Sequence, residues 1–163
     1  MRQEMHEIEP VFDENSRIMI LGSFPSVKSR EGKFFYHHPQ NRFWKVMAGT
    51  LDTVVPETVE EKKRMLLENG VAVWDVIASC EIEGSSDSSI KNVMPNDLAR
   101  ILSCADIKQI YTNGATASKL YKKYCLGQTH MEDIKLPSTS PANASYSLER
   151  LLEEWEIIRE RLK

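Results

Sequence analysis

Four short runs of apolar and β-branched residues, Arg17–Gly22, Val71–Ile77, Ile107–Thr112 and Met131–Leu136, are separated by stretches with helical periodicity. This alternation constrains the fold more than any other feature of the chain. The spacing predicts helices over Asn41–Thr50, Thr58–Asn69, Asn96–Ser103 and Ala115–Tyr124, with Gly or Asn near their ends. A last helix is predicted over Ser147–Lys163. There Leu148, Leu151, Leu152, Trp155, Ile158 and Leu162 recur at intervals of three and four, while Glu149, Glu153, Glu156 and Glu160 take much of the opposite face. Helices placed between sequential strands give a mostly parallel sheet with right-handed crossovers, covered on both faces. The expected class is therefore α/β, a three-layer α/β/α arrangement around a central, mostly parallel four-stranded sheet. In such sheets ligands bind beyond the carboxyl ends of the strands, which directs attention to the residues after Leu21, Ile77, Thr112 and Leu136. Glu83–Ser89, rich in Ser with one Gly, reads as a mobile surface loop.

A length of 163 residues suits one core, so a single domain over residues 1–163 is expected. Hydrophobic residues at 41% and charged residues at 28% exclude a disordered or fibrous chain. The formal charge of -3 and the pI near 5.8 argue against a non-specific nucleic-acid coat or a membrane-surface protein. Cys80, Cys104 and Cys125 have no CxxC spacing, so neither a disulfide framework nor a metal site built from cysteines alone is expected. The Met-Arg-Gln-Glu-Met start lacks the apolar segment of a signal peptide, and the longest apolar stretches are too short to span a bilayer, which points to the cytoplasm.

The first apolar run leads into Gly22-Ser-Phe-Pro-Ser26. A Gly and a Pro around a strand end bring backbone N–H groups close to a ligand, although alone the pentapeptide reads as an ordinary βα turn. Its surroundings add weight. Phe34, Phe35 and Tyr36 are consecutive, so no single periodic face buries all three, and at least one is expected on a cavity or surface. Lys28, Arg30, Lys33, Arg42 and Lys45 stand against Glu31 alone, making this stretch +4 within an acidic chain. Aromatic rings interleaved with cations suit a stacked base and its phosphates.

Gly32-Lys-Phe-Phe-Tyr-His-His-Pro-Gln-Asn-Arg-Phe-Trp-Lys45 resembles the HPxNRFWK segment of the mismatch-specific uracil/thymine-DNA glycosylases. At the other end, Leu136-Pro-Ser-Thr-Ser-Pro-Ala-Asn-Ala-Ser-Tyr-Ser-Leu-Glu-Arg-Leu151 resembles their LPNPSGLS loop and the helix after it. The combination with Gly22-Ser-Phe-Pro-Ser26 is most similar to the hypoxanthine-DNA glycosylase branch of the uracil-DNA glycosylase superfamily, in order from Ile18 to Trp155.

The resemblance implies a monofunctional enzyme that hydrolyses the N-glycosidic bond of a flipped, deaminated base, with hypoxanthine expected. It needs neither cofactor nor metal, and works as a monomer on DNA. Uracil, xanthine or mismatched thymine are alternative substrates, and a DNA- or nucleotide-binding protein without catalysis is an alternative of another class. The family places a polar catalytic residue two positions after the Gly of its first motif, where this chain has Phe24, which can neither orient water nor accept a proton. The resemblance then assigns catalysis to Asn41, whose amide would accept from water while donating to the substrate. As a residue it also suits the N-cap of the helix carrying Phe43 and Trp44. Asp75 falls where uracil-specific relatives carry an Asn that reads the base. A carboxylate there would accept from a base N–H or favour the sugar cation, and it equally suits a turn cap. Gly22, Ser23 and Phe24 are expected around the base, Phe35 and Tyr36 on its face, and Asn113 as a further base contact or a turn residue before Gly114. Ser26, Lys28 and His38 are expected to meet DNA. Ser138, Thr139, Ser140, Ala142 and Asn143 belong to the loop the family uses to hold the backbone and wedge the duplex, and a small hydroxyl-rich loop ahead of a helix also suits an N-cap region.

Overall fold

A computed structural model of the chain describes residues 2–84 and 86–162. Ser85 of the predicted loop and Lys163 of the predicted last helix, like Met1, lie outside the described residues. The central sheet contains β2 (Ile18–Gly22), β3 (Val71–Asp75), β6 (Gln109–Asn113) and β7 (Asp133–Leu136), all parallel, in the order β3-β2-β6-β7. Every residue of β2 and β3 is buried, as their unbroken apolar runs require of strands covered on both faces. Register places Ile18 opposite Val71 and Gly22 opposite Asp75, so the two strands end together.

Before β2 lies β1 (Arg2–Met5). After it come α1 (Val27–Gly32), α2 (Phe43–Leu51) and α3 (Val59–Glu68). Beyond β3 are β4 (Ile77–Ile82), β5 (Lys91–Pro95) and the short α4 (Ala99–Leu102). Helices α5 (Ala115–Tyr124) and α6 (Leu126–Thr129) join β6 to β7, and α7 (Leu148–Trp155) continues into a 3₁₀ turn over Glu156–Arg161. Right-handed crossovers place α2 and α3 on one face of the sheet and α4 and α5 on the other. Helix α7 returns to the first face, where Trp155 meets Phe43 of α2 edge-on at 5.9 Å between ring centroids. The chain leaves β2 and β6 in opposite directions, which opens a crevice between their carboxyl ends.

Two expectations are corrected. Val71–Ile77 is not one strand. It breaks at Val76, where the Val76 and Ile77 N–H groups donate to the Gly22 and Ser23 carbonyls at 2.8 and 3.1 Å, and the chain enters a second sheet. That sheet is antiparallel, in the order β1-β4-β5, and the Asn96 amide pins the crossing by donating to the Asp75 and Ile77 carbonyls at 2.9 and 3.2 Å. Arg-Gln-Glu-Met and Lys-Asn-Val-Met-Pro carry too few apolar residues to announce strands. Glu83–Ser89, in turn, is the connection between β4 and β5, closed by the Glu83 N–H donating to Ser89 Oγ at 2.9 Å. The last helix is also shorter than its periodicity suggested, its final turns winding as 3₁₀ with Ile158 still fully buried.

Candidate active site

Gly22 and Asp75 meet at the ends of their strands with no space between them. A Cβ on Gly22 would lie 2.3 Å from Asp75 Oδ1 and 3.1 Å from the Tyr36 hydroxyl, so close approach, not backbone freedom, demands glycine here. The chain then turns through Ser23–Ser26, and the Ser26 hydroxyl caps α1 by accepting from the Ser29 N–H at 3.1 Å. Between this turn, the end of β6 and the loop after β7 lies a cavity of about 150 Å³. Gly22, Ser23, Phe24, Ser26, Phe35, Tyr36, Asn41, Asp75, Asn113, Ser138, Thr139 and Ser140 all line it, joined by Pro25 and Ser29.

A hydrogen-bonded relay crosses one wall. The Asn113 side chain binds Thr139 twice, its Nδ2 donating to Oγ1 and its Oδ1 accepting from the Thr139 N–H, both at 3.0 Å. The Thr139 hydroxyl then donates to Asn41 Oδ1 at 2.8 Å, and the Phe43 N–H donates to the same oxygen at 2.9 Å. Asn41 therefore does cap the start of α2, and two donors fill the lone pairs of its carbonyl. Because both partners are donors, the amide orientation is settled, and what Asn41 turns outward is its NH2 group. Thr139 is fully buried with hydroxyl, N–H and carbonyl all engaged, the last by the Arg42 N–H at 3.1 Å. It positions Asn41 and has no surface to offer a phosphate, contrary to the DNA contact expected of it. Arg42 ties the same loop down, its guanidinium donating to the carbonyls of Ser140 (2.9 Å), Asn143 (3.0 Å) and Tyr146.

The opposite wall holds a group that sequence reasoning missed. His6 Nε2 lies 2.8 Å from Asp75 Oδ2, with side chains only 1% and 5% exposed. An ionised carboxylate only accepts, so Nε2 carries the proton. The imidazole is enclosed by Phe24, Phe35 and Trp74, with ring centroids 6.1, 6.0 and 6.5 Å away. Phe34 packs against Trp44 in the core, whereas Phe35 and Tyr36 reach the cavity. Tyr36 stacks on Phe43 at 4.0 Å and 17°, so one face of its ring is already taken. Its φ of +51° is unusual for a bulky side chain and is held by that stack and by Trp44 Nε1 donating to its carbonyl at 3.2 Å. The Tyr36 hydroxyl is buried without a hydrogen-bond partner. Burial first, and the Asp75 carboxylate second, push the phenol well above its ordinary pKa. The Asn113 amide opposes the shift without being aligned to satisfy the hydroxyl.

Four nominated residues lie outside the cavity. Lys28 faces Glu31 at 3.8 Å on exposed α1, and His38 Nδ1 accepts from the Gln40 N–H at 3.0 Å. Ala142 and Asn143 line a neighbouring groove, with the Asn143 amide donating to the Ser138 carbonyl at 3.0 Å.

A family model of the uracil DNA glycosylase superfamily matches residues 9–161. The chain belongs to that superfamily. It is 33% identical over 150 residues to a hypoxanthine DNA glycosylase of Methanosarcina acetivorans, covering 91% of this chain and 93% of that one. A hypoxanthine DNA glycosylase of Methanosarcina barkeri is 31% identical over 107 residues, covering 64% and 68%. The solution NMR structure of a uracil DNA glycosylase candidate from M. acetivorans superposes with a TM-score of 0.79 at 33% identity, covering 95% and 96% of the two chains. Phe24 occupies the position where the first motif of the superfamily carries its polar residue. The ring is a wall of the cavity, with the Arg30 guanidinium 5.4 Å from its centroid.

Proposed function

We propose that this superfamily member is a monofunctional DNA glycosylase that releases hypoxanthine from deoxyinosine, acting as a monomer in the cytoplasm. The observation that carries the reading is the pairing of an Asn41 amide, locked with its NH2 outward, and a buried Asp75 carboxylate on one cavity. The cavity holds on the order of ten waters, the scale of a single purine. Its place at the strand ends suits a base extruded from the duplex. The names of both Methanosarcina relatives support the same base.

The C1′–N9 bond breaks as the electron pair moves to the leaving base, and the sugar acquires oxocarbenium character. Water then adds to C1′ and gives up a proton. Asn41 contributes as a donor: its NH2 holds the oxygen of the water or the base, since its own carbonyl is committed to the helix cap and Thr139. Asp75 contributes negative charge beside the developing cation in a site shielded from water. No amine is among the residues that line the cavity, so hydrolysis without a Schiff-base step is the reading. Approach to DNA falls to the cationic stretch Lys28–Lys45, with Lys28 and His38 on its exposed side.

The test is single-turnover base release at low salt from duplexes that each carry one deoxyinosine, deoxyuridine, deoxyxanthosine or G·T mismatch. Hypoxanthine is expected to leave fastest. Release of no base from any of them overturns the reading.

A further inference from the structure

Asp75 Oδ1 and the Tyr36 hydroxyl flank the same glycine, one an acceptor and the other a donor, and both face the cavity. Oδ2 of the same carboxylate is held by His6 from β1's end of the chain, in a box of three aromatic rings. We propose that His6, Asp75 and Tyr36 form the edge of the site that reads the extruded base, accepting from a ring N–H and donating to the carbonyl beside it. This rests on the glycosylase reading and names what that site selects.

Several features fit such a reader. The Tyr36 hydroxyl is buried and unpaired, which costs stability unless a ligand completes it. The Tyr36 backbone sits in a conformation that side chains of this bulk rarely adopt, and its ring is clamped on Phe43, so the hydroxyl is held where it is. Because His6 saturates Oδ2 and Gly22 packs against Oδ1, the carboxylate cannot swing to the tyrosine. Deamination turns the amino group and ring acceptor of adenine into a carbonyl beside a ring N–H. Hypoxanthine therefore offers a donor to Asp75 and an acceptor to Tyr36. Adenine would set its ring nitrogen lone pair against the carboxylate and its amino hydrogens against the phenol. A site built from buried, fixed groups rejects the mismatched edge because each would be left unpaired.

The experiment compares the parent with Tyr36→Phe, His6→Leu and His6→Gln. Single-turnover release is measured on duplexes with one deoxyinosine or one deoxynebularine, the purine nucleoside that lacks the carbonyl and the ring N–H. Tyr36→Phe keeps the stack on Phe43 and removes only the donor. It is expected to lower hypoxanthine release about ten- to hundredfold and the deoxyinosine-to-deoxynebularine ratio by at least tenfold, with an unchanged melting temperature at neutral pH. His6→Leu is expected to lower the ratio comparably, and His6→Gln, which retains a donor toward Oδ2, to recover much of it. A parent active on deoxyinosine whose Tyr36→Phe and His6→Leu variants keep the parental ratio overturns this inference and leaves the glycosylase reading standing. A parent that releases no hypoxanthine overturns both.

Discussion

Thr139→Val tests whether the relay behind Asn41 is a structural device of real magnitude. Valine matches threonine in shape, so the buried volume is kept and only the hydroxyl is removed. The hydroxyl accepts from Asn113 at 3.0 Å and donates to Asn41 at 2.8 Å, while the N–H and carbonyl of Thr139 keep their own partners. Two hydrogen bonds are lost and two amides are each left one partner short at a fully buried residue, at about 1–2 kcal/mol apiece, or about 2–4 kcal/mol in total. For a chain of this size that lowers the melting temperature by about 4–16 °C. Thr139→Ser keeps the hydroxyl and loses one methyl, for about 1 kcal/mol and about 2–4 °C. Calorimetry or circular-dichroism melts of the two variants, beside the parent, read the hydroxyl by difference. Release of base should fall about tenfold in Thr139→Val, since Asn41 retains only the Phe43 N–H as an anchor. A Thr139→Val melting temperature within about 2 °C of the parent would refute the relay as an energetic unit.

Asn41→Asp separates capping from chemistry: the carboxylate still accepts from Phe43 and Thr139, so melting should move by no more than about 3 °C, while loss of the NH2 group lowers base release about 10²-fold. Parental rates in that variant would show that the amide NH2 is not used. Gly22→Ala drives a Cβ to within 2.3 Å of Asp75 Oδ1, so overpacking of about 1–3 kcal/mol and loss of base release are expected in urea titrations and activity assays. The raised pKa of Tyr36 has an alkaline signature. The folded chain keeps the phenolic proton above the ordinary value of 10.0, where the unfolded chain releases it, so folding stability declines as pH rises beyond about 10. Tyr111, Tyr121 and Cys125 are raised by burial as well and act in the same direction. Denaturation at pH 9 and pH 11 should therefore show a smaller alkaline loss for Tyr36→Phe than for the parent, and equal losses would refute the assignment.

The residues that sequence reasoning found share one property: each follows a strand whose apolar run is long enough to be read. Gly22, Asp75 and Asn113 stand at the ends of β2, β3 and β6, so the strand-end rule located three walls of the cavity before any contact was visible. Asn41 and Thr139 were legible as types, but their joint role was not, because a hydrogen bond across 98 residues leaves no local pattern. His6 was illegible for a stronger reason. It follows a four-residue strand, Arg-Gln-Glu-Met, with one apolar side chain, and it reaches Asp75 across 69 positions only because β4 departs from the central sheet at Val76 and pairs with β1. The acidic character of the first residues, Glu4, Glu7 and Glu9 among them, read as a solvated tail. The same segment instead carries a buried imidazole onto the carboxylate of the site. Charge sums could not show this, for the reason that an overall -3 could not exclude a DNA partner: both depend on where single groups are placed. Phe24 fits the same logic. Where the superfamily's first motif carries a polar group, this chain has a ring that is edge-on to His6, and the polar chemistry at that wall comes from the His6–Asp75 pair behind it.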